Sequence, residues 1–203
     1  MGSDETTVIE QVPLNYVPQA APPVIQNVET GVHLHHACFG RGTPVQTIDG
    51  PRPIEDLRAG DDVLTQDPRT GALKYQPLIA VYHNPPNATF RVALEGADES
   101  VVATGIHRLW KAGKGWIMVR ELKPGDVLRT LGGTAAVKSV KDERVQPVFN
   151  LRVADGESFF VGKRGILAHD NSTIQPTPEP FDAVEALPET SARPAGKRSL
   201  LGR

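Results

Sequence analysis

Leu57-Arg58-Ala59-Gly60-Asp61, followed by Val63-Leu64-Thr65, and Leu122-Lys123-Pro124-Gly125-Asp126, followed by Val127-Leu128-Arg129-Thr130, are one pattern written twice. The Leu, Gly and Asp positions recur at a constant offset of 65. In each copy a glycine turn feeds a short run of residues suited to a buried strand, which is how one supersecondary unit used twice looks in sequence. Leu-x-x-Gly-Asp is also a common turn, so the repeat by itself leaves coincidence open.

Outward from these copies the sequence is β. Val45-Gln46-Thr47-Ile48, Leu78-Ile79-Ala80-Val81-Tyr82, Thr89-Phe90-Arg91-Val92-Ala93-Leu94, Val101-Val102-Ala103-Thr104 and Phe149-Asn150-Leu151-Arg152-Val153 are rich in β-branched residues. Several alternate apolar with polar positions, and turn pairs such as Asp49-Gly50, Thr70-Gly71, Gly132-Gly133 and Asp155-Gly156 punctuate them. Helical character is confined to single turns around residues 53–57 and 119–122. The chain predicts an all-β domain built from a duplicated β unit.

The flanks differ in composition. Residues 1–37 carry four acidic residues, no Lys or Arg, and Pro13, Pro18, Pro22 and Pro23, which predicts an extended N-terminal arm. Residues 172–203 run through Pro176, Pro178 and Pro180 to a basic end with few large apolar side chains. Such a flank buries too little apolar surface to offset its ordering entropy and is expected to be disordered. The domain is expected at residues 38–171.

Composition bounds the function. With 203 residues, 39% hydrophobic and 5% aromatic, the chain holds one ordinary domain plus flanks. A net charge of −2 without a long basic run gives no reason to expect nucleic acid or an anionic membrane as partner. No apolar stretch approaches the roughly 20 residues of a bilayer span, and Met1-Gly2-Ser3-Asp4-Glu5 does not read as a signal peptide. A soluble, cytoplasmic monomer is the default expectation.

A single cysteine, Cys38, excludes an intramolecular disulfide and leaves a free thiol where the domain begins. The thiol of a residue just after a carbonyl can attack that carbonyl through a five-membered ring, converting the Ala37-Cys38 amide into a thioester. Equilibrium favours the amide, so the protein must push. Twisting the scissile peptide helps, at about 1 kcal/mol for a ~12° departure from planarity. So does an acid for the leaving nitrogen, and an imidazole with a pKa near ~6.5 suits that task. Thr104-Gly105-Ile106-His107 offers both parts: His107 as acid and base, and a Thr104 hydroxyl or N–H beside the developing oxyanion.

With Cys38-Phe39, Thr43-Pro44-Val45-Gln46-Thr47 and Ile54-Glu55-Asp56-Leu57-x-x-Gly60-Asp61-x-Val63 in front, the chain resembles the Hint family of inteins, hedgehog autoprocessing domains and bacterial intein-like modules. Thr104-x-x-His107 stands in the middle. Phe149-Asn150-Leu151-x-Val153, Phe159-Phe160-Val161 and Gly165-Ile166-Leu167-Ala168-His169 stand at the end. The resemblance covers about residues 38–172 and is nearest in style to short bacterial pretoxin modules. It implies a pseudo-twofold horseshoe of strands and a domain whose substrate is its own flanking polypeptide. Cys38 is then the thioester-forming nucleophile, Thr104 and His107 assist the first acyl shift, and His169 assists cleavage at the C-terminal junction. Water or an external nucleophile captures the thioester, and no cofactor is needed.

One departure stands out. Family members commonly place Asn directly after the last histidine, whereas here Asp170 precedes Asn171 and Ser172. In one register Asp170-Asn171 is scissile, with Asp170 or water attacking; in the other Asn171 cyclises and severs Asn171-Ser172. Full splicing is doubtful either way.

Duller alternatives accompany each residue. A lone Cys is often a small buried apolar group, His107 beside Leu109 and Trp110 suits a core histidine, and a non-catalytic β scaffold fits the composition equally well. His33 and His35 would share one face of a strand, but no partner stands at a confirming interval, so no metal site is expected. A trans-acting cysteine peptidase is disfavoured by the lack of a Cys-Gly-x-Cys-Trp-like segment around Cys38.

Overall fold

The two Leu-x-x-Gly-Asp copies fold alike. In the computed structural model of the chain, which describes residues 37–98 and 100–183, Ile54–Asp56 and Val119–Glu121 each make one 3-10 turn. Leu57 N–H closes the first on Ile54 O (3.4 Å) and Leu122 N–H the second on Val119 O (3.2 Å). The aspartates then cap the next bend: Asp61 accepts from Arg58 N–H (2.8 Å) and Asp126 from Lys123 N–H (2.9 Å). Gly60 N–H reaches Leu78 O and Gly125 N–H reaches Val137 O, both at 2.8 Å. The duplication read in the sequence is therefore physical, reproduced bond for bond.

Gly60 (φ +92°) and Gly125 (φ +88°) lie in the left-handed region, with open space where a Cβ would stand. Only backbone strain opposes a side chain there. Gly60→Ala and Gly125→Ala are each expected to lower stability by about 1–2 kcal/mol, and by similar amounts, in urea titrations. Unequal losses would show that the two turns are not the same unit.

The strands are β1 (Phe39–Gly40), β2 (Pro44–Thr47), β3 (Gly50–Pro53), β4 (Asp62–Gln66), β5 (Leu73–Leu94), β6 (Ser100–Thr104), β7 (Arg108–Lys111), β8 (Gly115–Met118), β9 (Val127–Thr130), β10 (Gly133–Val153), β11 (Ser158–Val161) and β12 (Ile166–His169). Every pairing is antiparallel, and among the described residues there is no α-helix. The series β2, β3, turn, β4, β5 is followed by β7, β8, turn, β9, β10.

The two halves interlock through β5 and β10, of 22 and 21 residues, which pair from Val137↔Leu94 to Val153↔Leu78. The sequence shows Leu78–Tyr82 and Thr89–Leu94 as separate runs because Pro85 and Pro86 divide them. The strand continues because those exposed prolines fall where the register shifts, between Asn84↔Val148 and Asn87↔Gln146, and so break no regular ladder. β1 lies between β6 and β10, and β12 pairs with β11, β7 and β9. The two ends of the domain thus enter the centre of the sheet rather than its rim.

One large core unites Phe39, Val45, Ile54, Leu57, Val92, Leu109, Leu128, Val137, Leu151 and Phe159. A smaller cluster gathers Trp110, Phe160 and Leu167 against Leu64, Trp116 and Phe181. Phe181 belongs to residues 172–203, the flank that the sequence reading expects to be disordered, and its ring packs against this cluster. Residues 1–36 and 184–203 lie outside the described residues. No helix among those described is long and apolar enough to cross a membrane.

Candidate active site

The Ala37-Cys38 peptide group is held from both sides. Cys38 lies immediately before β1 and exchanges two hydrogen bonds with the end of β6: its N–H donates to Thr104 Oγ1 (3.0 Å), and Thr104 N–H donates to Cys38 O (2.8 Å). The Ala37 carbonyl accepts a 2.6 Å bond from Asn150 Nδ2, on β10. Asn150 is wholly buried, and its own Oδ1 is fixed by Leu151 N–H (2.8 Å), so the amide is pre-aimed. Asn84 Nδ2, on β5, points at Cys38 Sγ from 3.2 Å. The sequence reading sets a Thr104 hydroxyl or N–H beside the Ala37 carbonyl oxygen; in the structure the Thr104 hydroxyl accepts from Cys38 N–H, and Asn150 donates to that oxygen.

His107 reaches this group through the duplication. Thr43 N–H bonds Gly40 O (3.3 Å) and Thr43 O receives Ile54 N–H (2.9 Å), while His107 N–H bonds Thr104 O (3.0 Å) and His107 O receives Val119 N–H (2.9 Å). His107 thus occupies in the second half the turn position that Thr43 fills in the first. The turn packs tightly: a Cβ at Gly105 would meet the Phe90 ring at 2.8 Å. The imidazole lies 4.0 Å from the Phe39 ring, and neither ring nitrogen makes a hydrogen bond of good geometry.

Burial sets the proton affinities. It lowers His107 from 6.5 to about 3, aided by the charges of His169 and Arg108; the backbones of Ala37 and His169 pull weakly the other way. Burial also pushes the Cys38 thiol up to about 12, against a smaller downward pull from Asn84. At neutral pH both groups rest uncharged.

An acid dependence of stability follows. Between pH 6.5 and about 3 the unfolded chain protonates this histidine and the folded chain does not. The contribution is complete above 6.5 and is lost as pH falls toward 3, with a slope of up to about 1.4 kcal/mol per unit. Urea midpoints at neutral and mildly acid pH should therefore converge in His107→Gln relative to the parent. An unchanged difference would mean that the ring is solvated.

The C-terminal junction is gathered beside the same strands. His169 ends β12, and its Nδ1–H donates to the Asp170 carbonyl (2.7 Å), which fixes the tautomer, since a carbonyl only accepts. His169 Nε2 is buried without a partner, and the ring meets Trp116 edge-on at 4.9 Å. The Asp170 carboxylate accepts from Val153 N–H (2.9 Å), Ser172 N–H (2.7 Å) and Ser172 Oγ–H. Asn171 is exposed; its N–H donates to Leu151 O (2.7 Å), and its Oδ1 stands 3.5 Å from Asn150 Nδ2. Asn150 therefore touches both ends of the domain.

Cys38, Thr104 and His107 converge on Ala37, and His169, Asp170, Asn171 and Ser172 form a second cluster bridged to the first by Asn150. The sequence missed Asn84 and Asn150 as site residues. Asn150 stood in a quoted run but carried only a strand signal, and Asn84 fell between two quoted runs, residues 78–82 and 89–94.

The chain matches the pretoxin Hint domain model over residues 44–171. No similar sequence was found among curated proteins. Among solved structures, the bacterial intein-like domain from Clostridium thermocellum is 25% identical, with a TM-score of 0.63, covering 66% of this chain and 99% of that one. A DnaB intein from Synechocystis sp. PCC 6803 is 16% identical (TM-score 0.60; 68% and 100% covered), and the gp41-1 intein 18% identical (TM-score 0.58; 66% and 99%). The family model spans more than half of the chain and the solved structures superimpose on it: the chain belongs to the pretoxin Hint domain family and has the intein fold.

Proposed function

We propose that the domain processes its own chain by moving the Ala37 acyl group from the nitrogen to the sulfur of Cys38. The thiol proton passes to neutral His107 as Sγ bonds to the Ala37 carbonyl carbon. Asn150 Nδ2 stabilises the oxyanion. The C–N bond then breaks, and the nitrogen, beside Thr104 Oγ1, takes the proton back from His107. The product is an isomer, a thioester. Water or a small thiol attacks it, releasing the N-terminal flank and returning the proton to Cys38. The observation that carries this reading is the grip on a single peptide group, with donors on its oxygen and on the sulfur and an acceptor on its nitrogen.

At the other end the bond after Asp170 is the better prepared, because the His169 Nδ1–H polarises the Asp170 carbonyl and no comparable donor meets that of Asn171, whose nearest is Arg152 Nη1 at 3.5 Å. One Asp170 oxygen bonds to the residue's own carbonyl carbon, the bond to Asn171 nitrogen breaks, and that nitrogen takes a proton that a water molecule gives by way of His169. The hydroxide left behind opens the five-membered anhydride and returns Asp170. In this register the released segment begins with Asn171, which carries no hydroxyl or thiol to capture an acyl group, so the reaction ends in cleavage rather than splicing.

A second reading, a scaffold that no longer reacts, is favoured by the sealing of Cys38, which is 1% exposed and holds its proton to about 12. Intact masses of the full chain separate the two. Self-processing gives fragments divided at Ala37-Cys38, increased by dithiothreitol and absent in Cys38→Ala and His107→Ala. A scaffold stays whole under every thiol.

A further inference from the structure

Ten residues past Asn171, the flank is anchored by two side chains. The Phe181 ring stacks on Trp110 (centroids 5.6 Å apart, planes at 24°), and the Arg129 guanidinium carbon lies 5.3 Å from its centroid on the ring face. Phe181 N–H donates to Pro68 O (3.2 Å). Asp182 accepts the Trp110 indole N–H through both oxygens, each at 3.1 Å. The pocket has a glycine floor: a Cβ on Gly71 would stand 2.6 Å from the Phe181 ring. Stacking, cation–π and a charge-assisted hydrogen bond on one dipeptide make a selective contact rather than a greasy one.

The contact is wired to the junction. Trp110 meets Trp116 edge-on at 4.9 Å, and Trp116 meets His169 in the same way at 4.9 Å. Trp116 Nε1–H donates to Glu157 Oε1 (3.3 Å), and Glu157 O receives Asp170 N–H (2.9 Å). Between the anchor and the junction the chain arches over a cavity of about 700 Å³ whose lining includes Ser172, Gln175 and Thr177 on the flank and Thr65, Arg152 and Glu157 on the domain. The flank is thus held at a distance from the cut, not along its whole length.

We infer that Trp110, Arg129 and Gly71 form a recognition site for an aromatic–acidic dipeptide in the segment that follows the C-terminal junction. The site selects which segment the domain carries, and through Trp116 it positions His169 against Asp170. It also retains the segment after the cut, since leaving would strip the buried Trp110 N–H of its acceptor. Docking stands without the cleavage reading; retention rests on it.

The test uses the full chain. Hydrogen exchange of the Phe181 amide is expected to be roughly tenfold or more faster in Phe181→Ala and in Arg129→Ala than in the parent, with Phe181→Trp retaining protection. Equal exchange in all four proteins overturns the recognition site, whether or not the chain cuts itself. In chains that have cut, the C-terminal fragment should co-elute with the domain in the parent and separate from it in Phe181→Ala. Immediate separation in the parent overturns retention and leaves the cleavage reading intact, whereas protected exchange in a chain that never cuts contradicts the cleavage reading alone.

Discussion

Asn150→Ala is expected to slow release of the N-terminal flank by roughly 10²–10³-fold, the usual cost of removing one preorganised oxyanion donor. Asn150 is wholly buried and its bond to the Ala37 carbonyl is 2.6 Å. A donor in that position needs no reorganisation when charge develops on the oxygen. The effect should fall on the acyl shift itself, so higher dithiothreitol will not restore the rate. The same amide stands 3.5 Å from Asn171 Oδ1, so the variant also separates the two junctions: events at the C-terminal end should no longer respond to whether the N-terminal flank has left. Circular dichroism guards against a folding defect. A folded variant that releases the flank at the parental rate would remove Asn150 from the chemistry.

The second large effect lies at Asp170. His169→Ala should slow the C-terminal cut by roughly 10²–10⁴-fold, the range for loss of a positioned acid–base, and Asp170→Ala should abolish the anhydride route. Asp170→Asn should do the opposite. It keeps one oxygen, enough for either the Val153 donor or the Ser172 donors, which meet different oxygens of Asp170, while exchanging the other for an amide nitrogen that closes a succinimide. The cut should accelerate, and the fragment ending at residue 170 should carry a succinimide instead of a free carboxylate, which mass spectrometry resolves. Cleavage moving to the bond after Asn171 in any of these variants would place the junction one residue later.

How much of this was legible in the sequence depended on distance. The turns at Gly60 and Gly125 could be read because each is made by neighbours within a few residues. The β character could be read because alternation and turn pairs are local. Cys38, Thr104 and His107 carried their chemistry in residue type and order. Asn84 and Asn150 did not, because their roles exist only after β5 and β10 have closed on each other: the partners are 46 and 113 residues away, and an Asn in a strand announces nothing. The prolines at 85 and 86 concealed the continuity of β5 because a register shift is a property of two strands together. Phe181 was illegible for a similar reason. One aromatic residue among prolines reads as solvated until Trp110, Arg129 and Gly71 are assembled around it.

Burial also reshapes the first assignment. A histidine near ~6.5 would be poised to share a proton, yet at about 3 His107 rests as a base. In the proposed shift it therefore receives the thiol proton before it can give one to nitrogen. With the thiol pushed up to about 12 and His107 held down to about 3, both keep their protonation state through the neutral range, so the shift should be insensitive to pH there, and Asn84→Ala, which removes the donor to sulfur, should slow it.

Hydroxylamine capture tests the acyl shift most directly. Incubated with the folded full chain, it should yield a fragment ending at Ala37 as a hydroxamate, with Cys38 exposed as the new N-terminus. The same treatment of the folded Cys38→Ser variant should give far less, because an ester forms less readily than a thioester. A chain that stays whole in hydroxylamine, or one cut equally well without sulfur at position 38, contradicts the account.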